Sequence, residues 1–180
     1  MQHQVYIWFW YAIKHKLGGF ICINKTGIKL PTQKQPRIRA AKVLSSPNGK
    51  GVYAQKSIPK DSVIGKVQGE VTTTDDVDPR YLMELDGDYL LRPTGTFRYL
   101  NHSCNPNSEL FVWDDEELDP DTGIRPLYVT ALRTIPKGRQ LTIDYGWPAE
   151  FAIPCKCRSK NCRGWIVDKK ELKKIKKLKK

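Results

Sequence analysis

The stretch Arg98-Tyr-Leu-Asn-His-Ser-Cys-Asn-Pro-Asn107, with its continuation in Leu141-Thr-Ile-Asp-Tyr-Gly146, decides how the rest of the chain is read. The first stretch sets an amide, an imidazole, a hydroxyl and a thiol side by side, and the second adds a carboxylate and a phenol. Cys155-Lys-Cys157 and Cys162-Arg-Gly-Trp165 follow at once. Cys155, Cys157 and Cys162 fall within eight residues, a spacing suited to thiolates converging on one tetrahedral ion, and three thiolates leave a structural zinc site one ligand short. The fourth must come from elsewhere. Cys104 is the natural candidate, because Cys22 stands in an unrelated N-terminal region and His102 adjoins Asn101 in the other motif. Free or disulfide-bonded cysteines are the competing reading, weakened by an odd total of five and by the lack of an apparent secretory signal.

A chain of 180 residues has room for about one domain with a real core. Its formal charge is +12, but Lys169–Lys180 holds eight Lys and one Glu, so +7 belongs to that tail and +5 to everything else. Such a distribution argues for an appendage that meets polyanions, not for a whole domain shaped around nucleic acid. No apolar run approaches the ~20 residues that span a bilayer, so a soluble protein is expected. Val5-Tyr-Ile-Trp-Phe-Trp-Tyr-Ala-Ile13 reads as a strand or short helix packed on the domain, with membrane-surface contact and an atypical or misassigned start as the alternatives. Lys25 to Arg39 reads as a basic linker or irregular arm.

Two segments echo each other. Val52-Tyr-Ala-Gln-Lys-Ser-Ile-Pro-Lys60 runs on into Ser62-Val-Ile-Gly, and Val129-Thr-Ala-Leu-Arg-Thr-Ile-Pro-Lys137 runs on into Gln140-Leu-Thr-Ile143. Each reads as a β-rich run, a Pro-led turn and a second run, the pattern of a hairpin or a strand corner. Tyr81–Leu85 and Asp88–Arg92 read as strands paired across Asp86-Gly87, a strong hairpin signal. Leu110–Trp113 is a further apolar run, and Asp114–Gly123 an acidic exposed loop. Only the tail, with Leu172, Ile175 and Leu178 spaced by three, looks helical. The fold class expected is mostly β, with many short strands. In Asn48-Gly-Lys-Gly51, two glycines allow positive φ and close backbone approach to a ligand, though Asn-Gly is equally at home in an ordinary hairpin.

Taken together, these motifs closely resemble the signature of SET-domain protein lysine methyltransferases: R-F-I-N-H-S-C-x-P-N, then E-L-T-x-D-Y, then a post-SET C-x-C-x4-C-R-G segment. The resemblance covers roughly Val43 to Val167. It implies a fold of several small sheets with a knot-like C-terminal segment and a zinc-bound post-SET tail. The domain plan is then an aromatic and basic extension at 1–42, the SET domain at 43–148, the post-SET segment at 149–168 and the Lys-rich tail at 169–180. The implied cofactors are S-adenosylmethionine and a zinc ion that the post-SET Cys155, Cys157 and Cys162 share with Cys104. The implied cofactor contacts are the turn at Lys50 and Gly51, the pair Asn101 and His102, and Tyr145. Arg98 either pairs with the cofactor carboxylate or buttresses the fold. Tyr145 is the implied catalytic residue, its hydroxyl orienting the amine beside the transferring methyl. Trp165 is the implied aromatic wall of the lysine channel. The implied partner is a protein with an accessible lysine, a histone or other basic protein, with nucleic-acid contact through the tail. The location implied is intracellular: nucleus or chromosome in a eukaryote, otherwise cytoplasm.

The sequence departs from the family at Val67 and Ile143, channel positions where an aromatic residue is common, and at Gln140 in place of Glu. A wider, less aromatic channel is expected, and with it a di- or trimethylated product. Those two positions also favour the alternative of a catalytically silent SET-like scaffold docking on nucleic acid or chromatin through its tail; the intact Asn101, His102 and Tyr145 argue against it. A small zinc-bearing nucleic-acid binder, the third reading, rests on charge alone.

Overall fold

The computed structural model describes residues 40–47, 49–73, 78–85, 89–113 and 117–178. The aromatic run at 5–13, the basic stretch at 25–39, Cys22, Asn48, Asp86-Gly87 and residues 114–116 of the acidic loop lie outside the described residues. β1 (Ala41–Ser46) and β2 (Gly49–Ala54) form a hairpin in register from Ala41 opposite Ala54 to Ser46 opposite Gly49. β10 (Gln140–Ile143) joins β2 antiparallel, and β7 (Asn101–His102) joins β10 parallel, giving the sheet order β1-β2-β10-β7. β10, late in the chain, is thus inserted between two earlier strands. A second sheet orders β3 (Val63–Lys66), β9 (Tyr128–Ala131) and β8 (Ser108–Phe111) as β3-β9-β8. A third orders β4 (Gly69–Thr72), β6 (Leu90–Pro93) and β5 (Met83–Glu84) as β4-β6-β5. β11 (Ile153–Pro154) and β12 (Trp165–Ile166) pair near the C-terminus.

The two echoing segments pack against each other. β2 and β3 come from the first echo, β9 and β10 from the second, and the pairs that form are β2 with β10 and β3 with β9. Each echo is therefore a strand corner that gives its two runs to different sheets. At the corners Ile58 N–H donates to Ile135 O at 2.9 Å and Ile135 N–H returns the bond at 2.8 Å. Asp61 N–H to Ala131 O, 2.8 Å, is matched by Gly138 N–H to Ala54 O, 2.8 Å, as a local two-fold would relate them. The core repeats the same correspondence: Val52, Ala54, Ile58 and Ile64 answer Val129, Ala131, Ile135 and Leu141, and none is more than 4 % exposed. Burial of each large aliphatic among them contributes about 1.5–3 kcal/mol.

Met83 pairs with Leu91 and Glu84 with Leu90, so the two runs form a hairpin, but the register sets Leu85 against Tyr89, one residue off a two-residue Asp86-Gly87 turn. The second strand of the hairpin starts at Leu90 rather than Asp88. Its first strand is shorter than the sequence suggested because Pro79–Tyr81 forms a 3-10 turn. The tail departs more from the sequence reading. A 3-10 turn at Lys169–Glu171, capped by the Asp168 carboxylate accepting from Lys170 N–H, leads into α1 (Leu172–Leu178). Ile175 is buried and packs with Leu172 against Ala149, Val167 and Trp165, and the Glu171 carboxylate accepts from Ala149 N–H at 3.0 Å. Its start is part of the fold, because an apolar pair at i, i+3 suffices when a cluster of matching size faces it. Among the described residues no helix is long and apolar enough to cross a membrane.

The left-handed corner position differs between the echoes: it is Gly138 (φ 79°) in one and Asp61 (φ 59°) in the other. No atom lies within 4 Å of a Cβ built on Gly138, so replacing it carries a conformational penalty alone. Gly138→Ala is expected to lower stability by about 1 kcal/mol and Asp61→Gly to raise it by up to about 1 kcal/mol, measured by urea unfolding. A neutral Gly138→Ala would contradict this account of the corners.

Candidate active site and thiol cluster

The parallel register sets Thr142 opposite Asn101 and Ile143 opposite His102, and Ser103 N–H extends it by donating to Ile143 O at 2.9 Å. Asn107, at the end of the first motif, clips the strands together. Its buried amide donates to Gln140 O at 2.9 Å and its carbonyl accepts from Thr142 N–H at 2.9 Å. The two motifs, distant in sequence, thereby become one surface. Tyr145 N–H donates to His102 Nδ1 at 3.2 Å, and the Tyr145 hydroxyl donates to Leu100 O at 2.7 Å. Burial pushes the phenol up to about 12, so it stays protonated through the neutral range. Burial likewise brings His102 down to about 4, with Asp144 opposing and Arg163 assisting.

A cavity of about 410 Å³ opens here, lined by Asn101, His102 and Tyr145 on one side and by Ile153, Pro154, Lys156 and Ile166 of the C-terminal segment on the other. Asn101 reaches past the cavity to donate to Lys50 O at 2.8 Å, tying the turn at Lys50 and Gly51 to the motif. A Cβ on Gly51 would stand 2.1 Å from Gln140 Nε2, so any side chain there would have to displace the Gln140 amide.

Below the cavity the thiols gather. Ligand atoms of His102, Cys104, Cys155 and Cys157 all lie within 4.8 Å of one another. Cys162 is exposed and is not among the four residues whose ligand atoms gather within that distance. All four thiols are free, and backbone N–H groups converge on them: Cys104 N–H and Cys157 N–H at 3.5 Å from Cys157 Sγ and Cys155 Sγ, and Arg163 N–H at 3.4 Å from Cys104 Sγ. Burial pushes Cys104 and Cys155 up, whereas at Cys157 hydrogen bonds from Ser159 and the Cys104 amide outweigh burial and bring the thiol down to about 6. Gathered sulfurs with donors aimed at them suit a thiolate-bound tetrahedral cation such as zinc.

Arg163 joins this cluster to the second motif. Its guanidinium grips Asp144 through two bonds of 2.6 Å, with the Arg163 side chain 6 % exposed and that of Asp144 30 %. The pairing holds Arg163 above its ordinary pKa.

The residues expected at the site divide. Asn101, His102, Tyr145, Cys155 and Cys157 line the cavity, the turn at Lys50 and Gly51 is bound to Asn101, Cys104 gathers with Cys155 and Cys157, and Cys162 is exposed. Arg98 stands over the Tyr99 ring, 5.4 Å from its centroid. Val67 and Ile143 lie in the main core, at 3 % and 4 % exposure, and Trp165 packs with Ala149 and Val167. Sequence reasoning missed Trp147, whose ring lies 5.0 Å from that of Tyr145 at 37°, as well as Arg163 and the Leu100 carbonyl. An aromatic residue two places after Tyr145 and an arginine directly after Cys162 were the available signals.

A family model described as the SET domain matches residues 49–146. Histone-lysine N-methyltransferase trr of Drosophila melanogaster is 36 % identical over 135 residues, covering 66 % of this chain and 5 % of that protein. Histone-lysine N-methyltransferase ASHR3 of Arabidopsis thaliana is 32 % identical over 170 residues, covering 85 % of this chain and 32 % of that protein. The chain thus spans no more than a third of either relative. Among solved structures, KRYPTONITE in complex with mCHG DNA and SAH is similar with a TM-score of 0.62 and 27 % identity, over 74 % of this chain and 30 % of that one. KRYPTONITE in complex with mCHH DNA, H3(1-15) peptide and SAH gives 0.61 and 30 %, over 74 % and 31 %.

Removing one partner of a buried pair leaves the other charge uncompensated. Asp144→Asn is expected to lower stability by about 3 kcal/mol in urea unfolding, at the low end for such pairs because Asp144 keeps some solvent. A loss below about 1 kcal/mol would show that the pair does not fasten the C-terminal segment.

Proposed function

Since the chain belongs to the SET-domain family, we propose that it transfers methyl groups from S-adenosylmethionine to the side-chain amine of lysine in a protein substrate, a histone by preference. One observation carries the reading. Asn101, His102 and a neutral, hydrogen-bonded Tyr145 line one cavity together with Ile153, Pro154, Ile166 and Lys156 of the C-terminal segment. The relatives named as histone-lysine N-methyltransferases, and the KRYPTONITE complexes with SAH and an H3 peptide, support the same assignment. A histone substrate would place the protein in the nucleus, on chromatin.

When bound, S-adenosylmethionine supplies a methyl on a cationic sulfur, poised for in-line displacement by an amine. The protein's own share is alignment and exclusion of water. Tyr145 is no general base, because its proton is retained and committed to Leu100 O. Its oxygen keeps lone pairs with which to orient an amine in the cavity. A lysine with a pKa near ~10.4 must first shed its proton, and the apolar faces of Ile153 and Ile166 favour the neutral amine. Ile143 packs in the main core and does not line the cavity; the proposed di- or trimethylated product rests on its lacking the ring and hydroxyl common in the family at that position. Cys104, Cys155, Cys157 and Cys162 are the proposed zinc ligands, fixing the segment that closes the cavity. The lysines of the tail are proposed to contact nucleic acid. Lys173 and Lys174 are exposed, while the opposite side of α1 packs on the fold. A silent scaffold would share that contact and its steep salt dependence but transfer no methyl.

Labelled S-adenosylmethionine incubated with the protein and a panel of histones, read by mass spectrometry, is expected to give methyl-lysine. Tyr145→Phe should lower turnover by on the order of a hundredfold with little change in S-adenosylhomocysteine affinity. Wild-type protein that binds the cofactor and methylates nothing would favour the scaffold.

A further inference from the structure

His102 is engaged at both ring nitrogens. Its side chain is 2 % exposed, Nδ1 accepts from Tyr145 N–H at 3.2 Å, and Nε2 stands 3.3 Å from Cys104 Sγ. A backbone amide only donates, so Nδ1 carries a lone pair, and the imidazole proton then sits on Nε2. A protonated nitrogen has no lone pair for a metal. His102 is therefore a hydrogen-bond donor to the sulfur of Cys104, although its ligand atom lies within 4.8 Å of those of Cys104, Cys155 and Cys157. Asp144, 3.5 Å from Nδ1, does not claim that nitrogen, because its oxygens already accept from the Arg163 guanidinium and Gly146 N–H.

We infer that His102 is a positioning residue, a rigid bridge that hangs the Tyr145 main chain from the sulfur of Cys104 and so lets the metal centre set the place of the catalytic phenol. A second bridge runs beside it. Arg163 N–H donates to the same sulfur at 3.4 Å, and the Arg163 guanidinium grips Asp144, the residue before Tyr145. The inference rests on the four-thiol reading of the zinc site and on methyl transfer at Tyr145. Hydrogen bonds to a ligating sulfur reduce the charge it donates to the metal, and losing such a partner typically weakens metal binding by about 10–100-fold.

Two variants separate the two ends of the imidazole. His102→Asn keeps an acceptor near the Nδ1 position and loses the donor to Cys104; His102→Gln keeps a donor near Nε2 and loses the acceptor for Tyr145. With cobalt(II) in place of zinc in the full chain, His102→Asn is expected to move the sulfur-to-cobalt charge-transfer band to lower energy and to release metal to a chelator about tenfold faster. His102→Gln, loaded with zinc, should leave metal release near wild type while kcat falls at least tenfold and KM changes little. An unmoved band in His102→Asn, or an unchanged kcat in His102→Gln, would overturn the inference. Nitrogen-15 NMR of zinc-loaded wild-type protein supplies a test that needs no variant: His102 should show a protonated Nε2 and an unprotonated Nδ1, and a metal-bound Nε2 would overturn it. If wild-type protein binds neither cobalt nor zinc, the zinc reading itself falls; if it binds metal and the band does not move in His102→Asn, only the bridge falls.

Discussion

Two residue pairs in parallel register, Asn101 with Thr142 and His102 with Ile143, hold the molecule's chemistry together. Parallel strands cannot be joined by a tight turn. The chain must leave β7, build β8 and β9, turn the second corner and return as β10 before the register can close. The core made by the two corners fixes where β10 arrives, because Leu141 lies opposite Val52 and both are fully buried. A slip of one residue would turn Leu141 outward and carry Tyr145 away from His102. The buried Asn107 guards against that slip, since its amide has partners on β10 only in the observed register.

The far wall of the cavity has a different basis. Ile153, Pro154 and Ile166 belong to a two-residue strand pair, too short to stand alone. Sulfur and charge secure it: the Cys155 and Cys157 thiols meet Cys104 from the first motif, and Arg163 meets Asp144 from the second. The Ile175 and Leu172 face of the tail supports it from outside. Half of the site is thus built on a packed core and half on a thiol cluster and one ion pair, and the cavity exists only where they meet.

What was legible in the sequence follows the same division. That Asn101, His102 and Tyr145 come together beside Cys104, Cys155 and Cys157 could be read because the two motifs and the C-terminal cysteines each keep a fixed spacing. The strands could be read as runs, but their partners could not: nothing local in Val52–Lys60 says that it pairs with the other echo and not with itself. The tail was misread as an appendage because eight lysines dominate its composition, while two apolar residues on one face determine its docking. Val67 and Ile143 sit in the main core, a placement that motif position alone does not give. Trp147 and Arg163 were passed over because their value lies in contacts, the first with the Tyr145 ring and the second with Asp144.

If the thiol centre fixes the wall formed by Ile153, Pro154 and Ile166, cofactor affinity depends on zinc, and calorimetric titration of S-adenosylhomocysteine before and after zinc removal measures that dependence. The account predicts that chelation weakens binding by at least about tenfold while the main core stays folded, and that restored zinc restores affinity. Unchanged affinity in the metal-free protein would contradict it.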